Sequence, residues 1–135
     1  FFAQDHGINS IHFMGFQPRN LMGKFYALAD VLVLPSQRET WGMVINEGLC
    51  FSLPIITSDQ VGAAADLVIS GQNGFIFPAG DISALADLIT AFGKLPDKQK
   101  LQMGEKSLTL ITDWVNRDLG SLMAKYLDSI YEARG

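Results

Sequence analysis

Two short apolar runs on either side of a helix-forming segment constrain the fold of this chain more than any other feature. The first run occupies residues 30–36 and the second occupies residues 53–57. Each is short and continuously apolar, which is typical of a buried β-strand. Because residues 42–51 between them carry a helical pattern, this part of the sequence predicts a β-α-β unit.

The same alternation continues along the rest of the chain. Further apolar strands are predicted at residues 11–14 and 75–77, and helices at residues 21–29, 63–69 and 82–92. The strands are apolar throughout rather than alternating, which is the pattern of a parallel sheet covered on both faces. We therefore expect an α/β fold with a Rossmann-like parallel sheet of about four strands and helices on both faces.

The last part of the chain is predicted to be helical. Asp81 is predicted to cap the helix at residues 82–92. A polar helix then runs from Pro96 to about residue 105, and a final helix covers residues 113–133. The final helix carries one apolar stripe, through which we expect a fragment to self-associate. The stripe comprises Leu119, Leu122, Met123, Tyr126, Leu127, Ile130 and Tyr131.

Composition excludes several classes of protein. The formal net charge is −4 and the chain has no Lys/Arg cluster, which argues against nucleic-acid binding. Cys50 is the only cysteine, so an internal disulfide and a cysteine metal cluster are excluded, and no metal site is predicted. A lone cysteine fits a reducing, cytoplasmic compartment. No apolar run reaches transmembrane length, and the first residues predict no signal peptide, since they lack its basic region and its apolar core.

Two carboxylates flank the predicted start of the helix in the β-α-β unit. The first backbone N–H groups of that helix, at Gly42, Met43 and Val44, lack partners within it, and the helix dipole favours negative charge there. This arrangement suits a phosphate or diphosphate. Glu39 precedes the helix, and Glu47 lies one turn after Met43, where a carboxylate can accept hydrogen bonds from vicinal hydroxyls. The residues therefore predict a site for a phosphorylated polyol or a nucleotide.

The motif and its flanks resemble one enzyme family. Glu39 and Glu47, separated by seven residues, match the E-x7-E motif of retaining GT-B glycosyltransferases of the glycosyltransferase family 4 kind. The flanking segments are similar to that family in the same order: residues 13–16, 29–36, 53–57, 73–81 and 84–86. The resemblance implies a single domain, residues 1–135, that is part of a C-terminal nucleotide-sugar-binding domain, with the N-terminal acceptor domain absent.

The resemblance also implies roles for individual residues. Glu39 is the catalytic residue and contacts hydroxyls of the donor sugar, whereas Glu47 binds the ribose. The donor sugar and diphosphate are held by backbone N–H groups around Trp41, Gly42, Met43 and Val44. The base pocket is lined by Gly15, Phe16 and Gln17. From the residues alone, Trp41 can equally be interpreted as a core anchor.

The function implied by the resemblance is donor binding in a retaining glycosyltransferase of the hexosyltransferase type. The donor is a nucleotide diphosphate sugar linked to UDP or GDP, no cofactor or metal is needed, and the acceptor is a glycan or a lipid-linked glycan. The parent protein is expected to serve polysaccharide biosynthesis in the cytoplasm, including peripherally at the membrane. The family's basic Arg/Lys pair and its N-terminal domain, a partner from the same parent chain, are not in these 135 residues. We therefore expect the fragment alone to be inactive.

Two alternative functions stay open. The alternatives are a non-catalytic nucleotide-binding module and a GT-B nucleotide-sugar epimerase. The epimerases lack this E-x7-E context, so Glu39 and Glu47 argue against that class.

The chain departs from the family pattern just before the second strand of the β-α-β unit. The family commonly has glycine just before the Leu-Pro pair at residues 53–54, where this chain has Ser52.

Overall fold

The computed structural model describes residues 7–117, in which helices and strands alternate. The elements are α1 (Arg19–Leu28), β1 (Leu32–Leu34), α2 (Met43–Cys50), β2 (Ile55–Ser58), α3 (Gly62–Leu67), β3 (Gly74–Phe77), α4 (Ile82–Gly93) and α5 (Asp97–Val115). The strands form one parallel sheet in the order β1-β2-β3, with Leu32 beside Ile55 and Ile55 beside Gly74. The predicted α/β fold with a parallel sheet is confirmed.

Helices cover both faces of this sheet. The central strand β2 is therefore buried at every position. Alternate side chains of a strand point to opposite faces, so Ile55 and Ile56 contribute to different clusters. Ile55 packs with α2, α3 and the last turns of α5, through Ile45, Leu49, Ala63, Ala64, Leu67 and Ile111. Ile56 packs with α4 and the start of α5, through Phe92 and Met103.

The predicted break between the last two helices is wrong within the described residues. α5 is one helix from Asp97 to Val115. Met103, Ser107 and Ile111 lie four residues apart and are all buried, so one continuous face packs against the domain and favours an unbroken helix. The predicted cap is correct, since Asp81 Oδ1 accepts a hydrogen bond of 2.9 Å from the Ala84 N–H. The apolar stripe at residues 119–131 lies outside the described residues.

The strand predicted at residues 11–14 is also wrong, because this segment forms no regular structure. A strand needs a neighbour to satisfy its backbone groups, whatever its own propensity. The sheet within residues 7–117 consists of β1, β2 and β3, and residues 11–14 do not belong to it. None of the helices within residues 7–117 is long and apolar enough to cross a membrane.

Ser52 occupies the position after α2 at which many helices have glycine. Its φ is +56°, the left-handed region, and no other non-glycine residue among those described has a positive φ. The Ser52 N–H donates to the Leu49 carbonyl and the Leu53 N–H donates to the Gly48 carbonyl, both at 3.0 Å. These two bonds define a Schellman motif, in which glycine avoids the steric cost of the left-handed conformation.

Replacing Ser52 with glycine is expected to raise the free energy of unfolding by about 0.5 to 1 kcal/mol. Relief of the left-handed strain contributes about 1 to 2 kcal/mol, and the greater freedom of glycine in the unfolded chain offsets about half of it. Urea denaturation measures the difference. The control is Ser10→Gly, the same substitution at an exposed turn position without a positive φ. Equal effects of both substitutions would show that the conformation of Ser52 is not strained.

Candidate functional site

The loop that leaves β1 is fixed to the loop that leaves β2. The Glu39 N–H donates to the Gln60 carbonyl at 3.0 Å, and the Gly62 N–H donates to the Glu39 carbonyl at 3.1 Å. A third bond, of 2.8 Å, runs from the Ala63 N–H to the Trp41 carbonyl. Both loops follow the carboxyl ends of their strands, where open parallel sheets bind ligands. The backbone that carries Glu39 is therefore held at this edge of the sheet.

Gly42 is the N-cap of α2 and has a left-handed backbone, with φ 88° and ψ 61°. A Cβ atom on Gly42 would lie 2.7 Å from Val61 Cγ1 and 3.3 Å from Leu34 Cδ2. Both the backbone conformation and the close packing therefore favour glycine at this position. The sequence pattern by itself indicates only that Gly42 gives a ligand access to the helix start.

The start of α2 presents a row of unpaired backbone donors. The first N–H that is bonded is that of Ile45, which donates to the Gly42 carbonyl at 2.8 Å. The cap residue supplies no side-chain bond to the helix end. Within residues 7–117, no acceptor is found for the N–H groups of Trp41, Gly42, Met43 and Val44. Such a row, with the positive end of the helix dipole, favours an anion.

Glu39 lines a cavity of about 400 Å³ at the carboxyl edge of the sheet. Its side chain is half-buried. The cavity contains a positive charge from Arg38 and a negative charge from Asp59, whose Oδ1 accepts a 3.0 Å bond from the Ala79 N–H. The complete lining is Arg38, Glu39, Thr40, Asp59, Gln60, Val61, Gly62 and Ala65. A polar cavity of this size can accommodate a hydroxylated ligand.

Glu47 lines a different cleft, of about 480 Å³, between α1 and α2. Its carboxylate is held there by Tyr26, whose hydroxyl donates to Glu47 Oε2 at 2.6 Å. The cleft is lined by Arg19, Asn20, Met22, Gly23, Tyr26, Met43, Asn46, Glu47, Cys50 and Phe51. Its lining residues do not overlap with those of the Glu39 cavity. The two carboxylates therefore lie in separate concavities, with residues 41–44 between them in the chain.

The Tyr26 hydroxyl stays protonated over the whole physiological pH range. Burial, together with the hydrogen bond and the negative charge of Glu47, raises the pKa of Tyr26 to about 12. Ionising the phenol would place a second negative charge beside the carboxylate, which is unfavourable. Tyr26 is thus a permanent hydrogen-bond donor to Glu47.

Trp41 and the residues predicted for the base pocket line neither of the two cavities. The side chain of Trp41 faces α5: its Nε1 donates to Asn46 Oδ1 at 2.9 Å, and its ring centroid is 5.5 Å from that of Trp114. Its backbone N–H has no acceptor within residues 7–117 and belongs to the row at residues 41–44. None of the three residues predicted for the base pocket lines either cavity, and Phe16 is 95% exposed; they are Gly15, Phe16 and Gln17. Their role in base binding stays a prediction.

Sequence reasoning missed the polar residues that α1 contributes to the Glu47 cleft, which are Arg19, Asn20 and Tyr26. Arg19 and Asn20 belong to the first turn of α1, whereas the predicted helix begins only at residue 21. Tyr26 is not among the apolar residues whose spacing predicts this helix, which are Leu21, Met22, Phe25, Leu28 and Ala29. Its hydroxyl group indicates that Tyr26 has a hydrogen-bond partner, because a buried tyrosine usually has one. The partner itself could not be identified, since it lies 21 residues away in the chain.

Comparison with known proteins gives one family match and related structures. The family model described as "Glycosyl transferases group 1" matches residues 2–108. The chain is 40% identical over 65 residues to the capsular polysaccharide biosynthesis glycosyltransferase CapM of Staphylococcus aureus. That match covers 48% of this chain and 17% of CapM. The chain therefore corresponds to a small part of this relative's length.

Two solved structures share the fold. One is the C-terminal domain of a glycosyl transferase group 1 family protein, LpcC, from Francisella tularensis, with a TM-score of 0.74 and 20% identity. The similarity covers 83% of this chain and 57% of that one. The other is Anabaena HepE in complex with UDP-glucose, with a TM-score of 0.71 and 21% identity over 96% of this chain and 35% of HepE.

Proposed function

The chain belongs to the glycosyl transferases of group 1, and from this premise we propose that it is the donor-binding part of a retaining glycosyltransferase. The observation that carries the proposal is the row of unpaired N–H groups at residues 41–44. Carboxylates that can bind hydroxyls stand on both sides of it in the chain, Glu39 before and Glu47 after. A nucleotide diphosphate sugar has the same order of groups, with an anionic diphosphate between two polyols.

The proposed mechanism assigns the chemistry to the protein's own donors and acceptors. As the bond between the anomeric carbon and the diphosphate oxygen breaks and the acceptor hydroxyl oxygen bonds to that carbon, negative charge grows on the departing nucleoside diphosphate. Preorganised N–H groups at residues 41–44 stabilise that charge, and the acceptor's proton is released to the leaving phosphate. Glu39 accepts hydrogen bonds from the donor sugar and fixes its orientation for transfer with retention. Because the backbone of Glu39 is bonded to the neighbouring loop, the orientation needs little reorganisation on binding. In this proposal no metal ion or other cofactor takes part.

Glu47 is assigned to the ribose, and the cleft around it to the nucleoside. The volume of about 480 Å³ is within the range of small-ligand sites. HepE, which shares the fold, binds UDP-glucose, and this supports UDP as one candidate nucleotide. GDP is the other candidate, because it has the same ribose and diphosphate as UDP and differs only in its base.

The parent enzyme is proposed to transfer a hexose to a glycan or lipid-linked acceptor. The similarity to CapM, a capsular polysaccharide biosynthesis glycosyltransferase, supports a polysaccharide product. The similarity to an isolated C-terminal domain supports the view that residues 1–135 belong to the donor-binding domain. Acceptor binding would then come from an N-terminal domain of the same parent, and we expect the chain alone to turn over no donor.

The test is a calorimetric titration of the chain with UDP, GDP, ADP and their glucose or mannose conjugates. We expect one nucleotide to be preferred and its sugar conjugate to bind more tightly than the nucleotide alone. Glu39→Gln should lower the affinity for the conjugate about tenfold, because a hydrogen bond to a charged group contributes about 1.5 to 3 kcal/mol. Its affinity for the bare nucleotide should be unchanged.

The matched control is Glu105→Gln, which makes the same charge change on an exposed residue that lines neither cavity. It should leave both affinities unchanged. If the chain bound none of these compounds, the proposed function would be wrong. If the chain bound nucleotides but bound their sugar conjugates no more tightly, the non-catalytic nucleotide-binding module would be the better description.

A further inference from the structure

We propose that Tyr26 is a positioning residue for the nucleotide: its hydroxyl holds the Glu47 carboxylate in the orientation that receives the ribose. This inference rests on the proposed function, because it assigns the ribose of the donor to Glu47. It adds a residue that the E-x7-E motif does not contain and that lies on a different helix, α1.

The hydrogen bond occupies only one side of the carboxylate. Tyr26 Oη lies 2.6 Å from Glu47 Oε2, a length typical of a strong bond to a charged acceptor. Among the described residues, no other side chain or backbone group donates to the carboxylate of Glu47. Oε1 therefore keeps its full capacity to accept from hydroxyls, since each carboxylate oxygen has two lone pairs. The arrangement leaves an oriented oxygen for a vicinal diol.

Tyr26 is itself fixed by the helix that carries Glu47. Its side chain is 6% exposed, and its ring centroid lies 5.4 Å from that of Phe51, the C-cap of α2. Glu47 and Phe51 are four residues apart and lie on one face of that helix. Tyr26 thus contacts α2 at two points one turn apart, with its ring on Phe51 and its hydroxyl on Glu47.

Packing alone does not explain the hydroxyl. A phenylalanine at position 26 would make the same ring contact with Phe51 and would avoid burying a polar group, which is costly without a partner. The hydroxyl instead bonds a half-buried glutamate that lines the cleft. A free glutamate side chain has several rotatable bonds and loses conformational freedom when it binds a ligand. Holding it beforehand reduces that loss, which is the usual benefit of preorganisation.

The test compares Tyr26→Phe with the wild-type chain in binding UDP, GDP and the 2′,3′-dideoxy forms of both. We expect Tyr26→Phe to weaken binding of the preferred ribonucleotide about tenfold and to change binding of its dideoxy form less than twofold. The same substitution in a Glu47→Ala background should have no further effect on the preference for ribose, because the group that Tyr26 positions is gone.

The control variant is Ser107→Ala, which also removes one buried hydroxyl, bonded at 2.8 Å to the Leu53 carbonyl. Ser107→Ala should lower the melting temperature but keep the ratio of ribonucleotide to dideoxynucleotide affinity. Three outcomes are separable. No nucleotide binding by the wild type overturns the proposed function, and the Tyr26 assignment with it. A wild-type preference for ribose that Tyr26→Phe retains, or equal weakening of both ligands by Tyr26→Phe, overturns the Tyr26 assignment while the donor site stands.

Discussion

Replacing Gly62 with alanine is expected to lower the free energy of unfolding by at least about 3 kcal/mol. A Cβ atom at this position would overlap the Thr40 carbonyl oxygen and would lie 3.3 Å from the Trp41 Cα atom. Both are backbone atoms, which cannot rotate away as a side chain can. The loop that carries Glu39 would have to move away from α3, and the 3.1 Å bond between the Gly62 N–H and the Glu39 carbonyl would be lost. The loss of stability would therefore be accompanied by weaker binding of the proposed donor.

The measurement is urea denaturation of Gly62→Ala beside Gly93→Ala. Gly93 is the last residue of α4, and a Cβ atom there would meet nothing within 4 Å. Alanine is the better helix former, so Gly93→Ala should leave stability unchanged or raise it by up to about 1 kcal/mol. A Gly62→Ala variant as stable as the Gly93→Ala variant would contradict the close packing of the two loops.

Replacing Asn73 with alanine is expected to cost about 2 to 4 kcal/mol of unfolding free energy. Asn73 is fully buried just before β3. Its Oδ1 accepts a 2.7 Å bond from the Ile69 N–H, and its Nδ2 donates to the Leu67 carbonyl at 2.9 Å. Nδ2 also lies 3.4 Å from Ser107 Oγ, on α5. The alanine variant would leave buried polar groups without partners, each at about 1 to 3 kcal/mol.

Thermal and urea denaturation would measure this change, with Asn116→Ala as the control. Asn116 is exposed at the end of α5, and its side chain makes no hydrogen bond with any residue in the described range. Asn116→Ala should therefore change the free energy of unfolding by less than about 0.5 kcal/mol. Asn73→Asp is a second informative variant, because it keeps the acceptor for the Ile69 N–H but loses both donated bonds. A loss of stability for Asn73→Ala no larger than for Asn116→Ala would show that the buried network contributes little.

The parts of the fold that local patterns determine were predictable from the sequence. The strands at β1, β2 and β3 and the helices between them follow from apolar runs and helical spacing, and each lies within a few residues of its predicted position. The Asp81 cap was predictable for the same reason, because its partner is three residues away. Residues 11–14 failed because pairing of a strand depends on a neighbour that its own sequence does not specify.

The geometry of the candidate site was predictable only in part. Unpaired N–H groups at residues 41–44 follow from the start of a helix without a side-chain cap, which local sequence indicates. Two features depended on contacts between distant segments. The ring of Trp41 packs against Trp114, and Tyr26 of α1 holds Glu47 of α2. Side-chain orientation at such positions is decided by tertiary packing, so spacing within the motif could not reveal it.

The most direct test of the account is to map nucleotide binding onto the amide resonances of the chain. With UDP, GDP and their sugar conjugates, we predict saturable shifts at residues 41–44 and at Glu47, with further shifts at Glu39 only for the conjugates. A separate cavity lies between the turn before β3 and the start of α5, and its lining includes Gln72 and Gln99. The amide resonances of these two residues should not shift. Shifts centred on that cavity, or no shift at residues 41–44 in the presence of a bound nucleotide, would contradict the donor site.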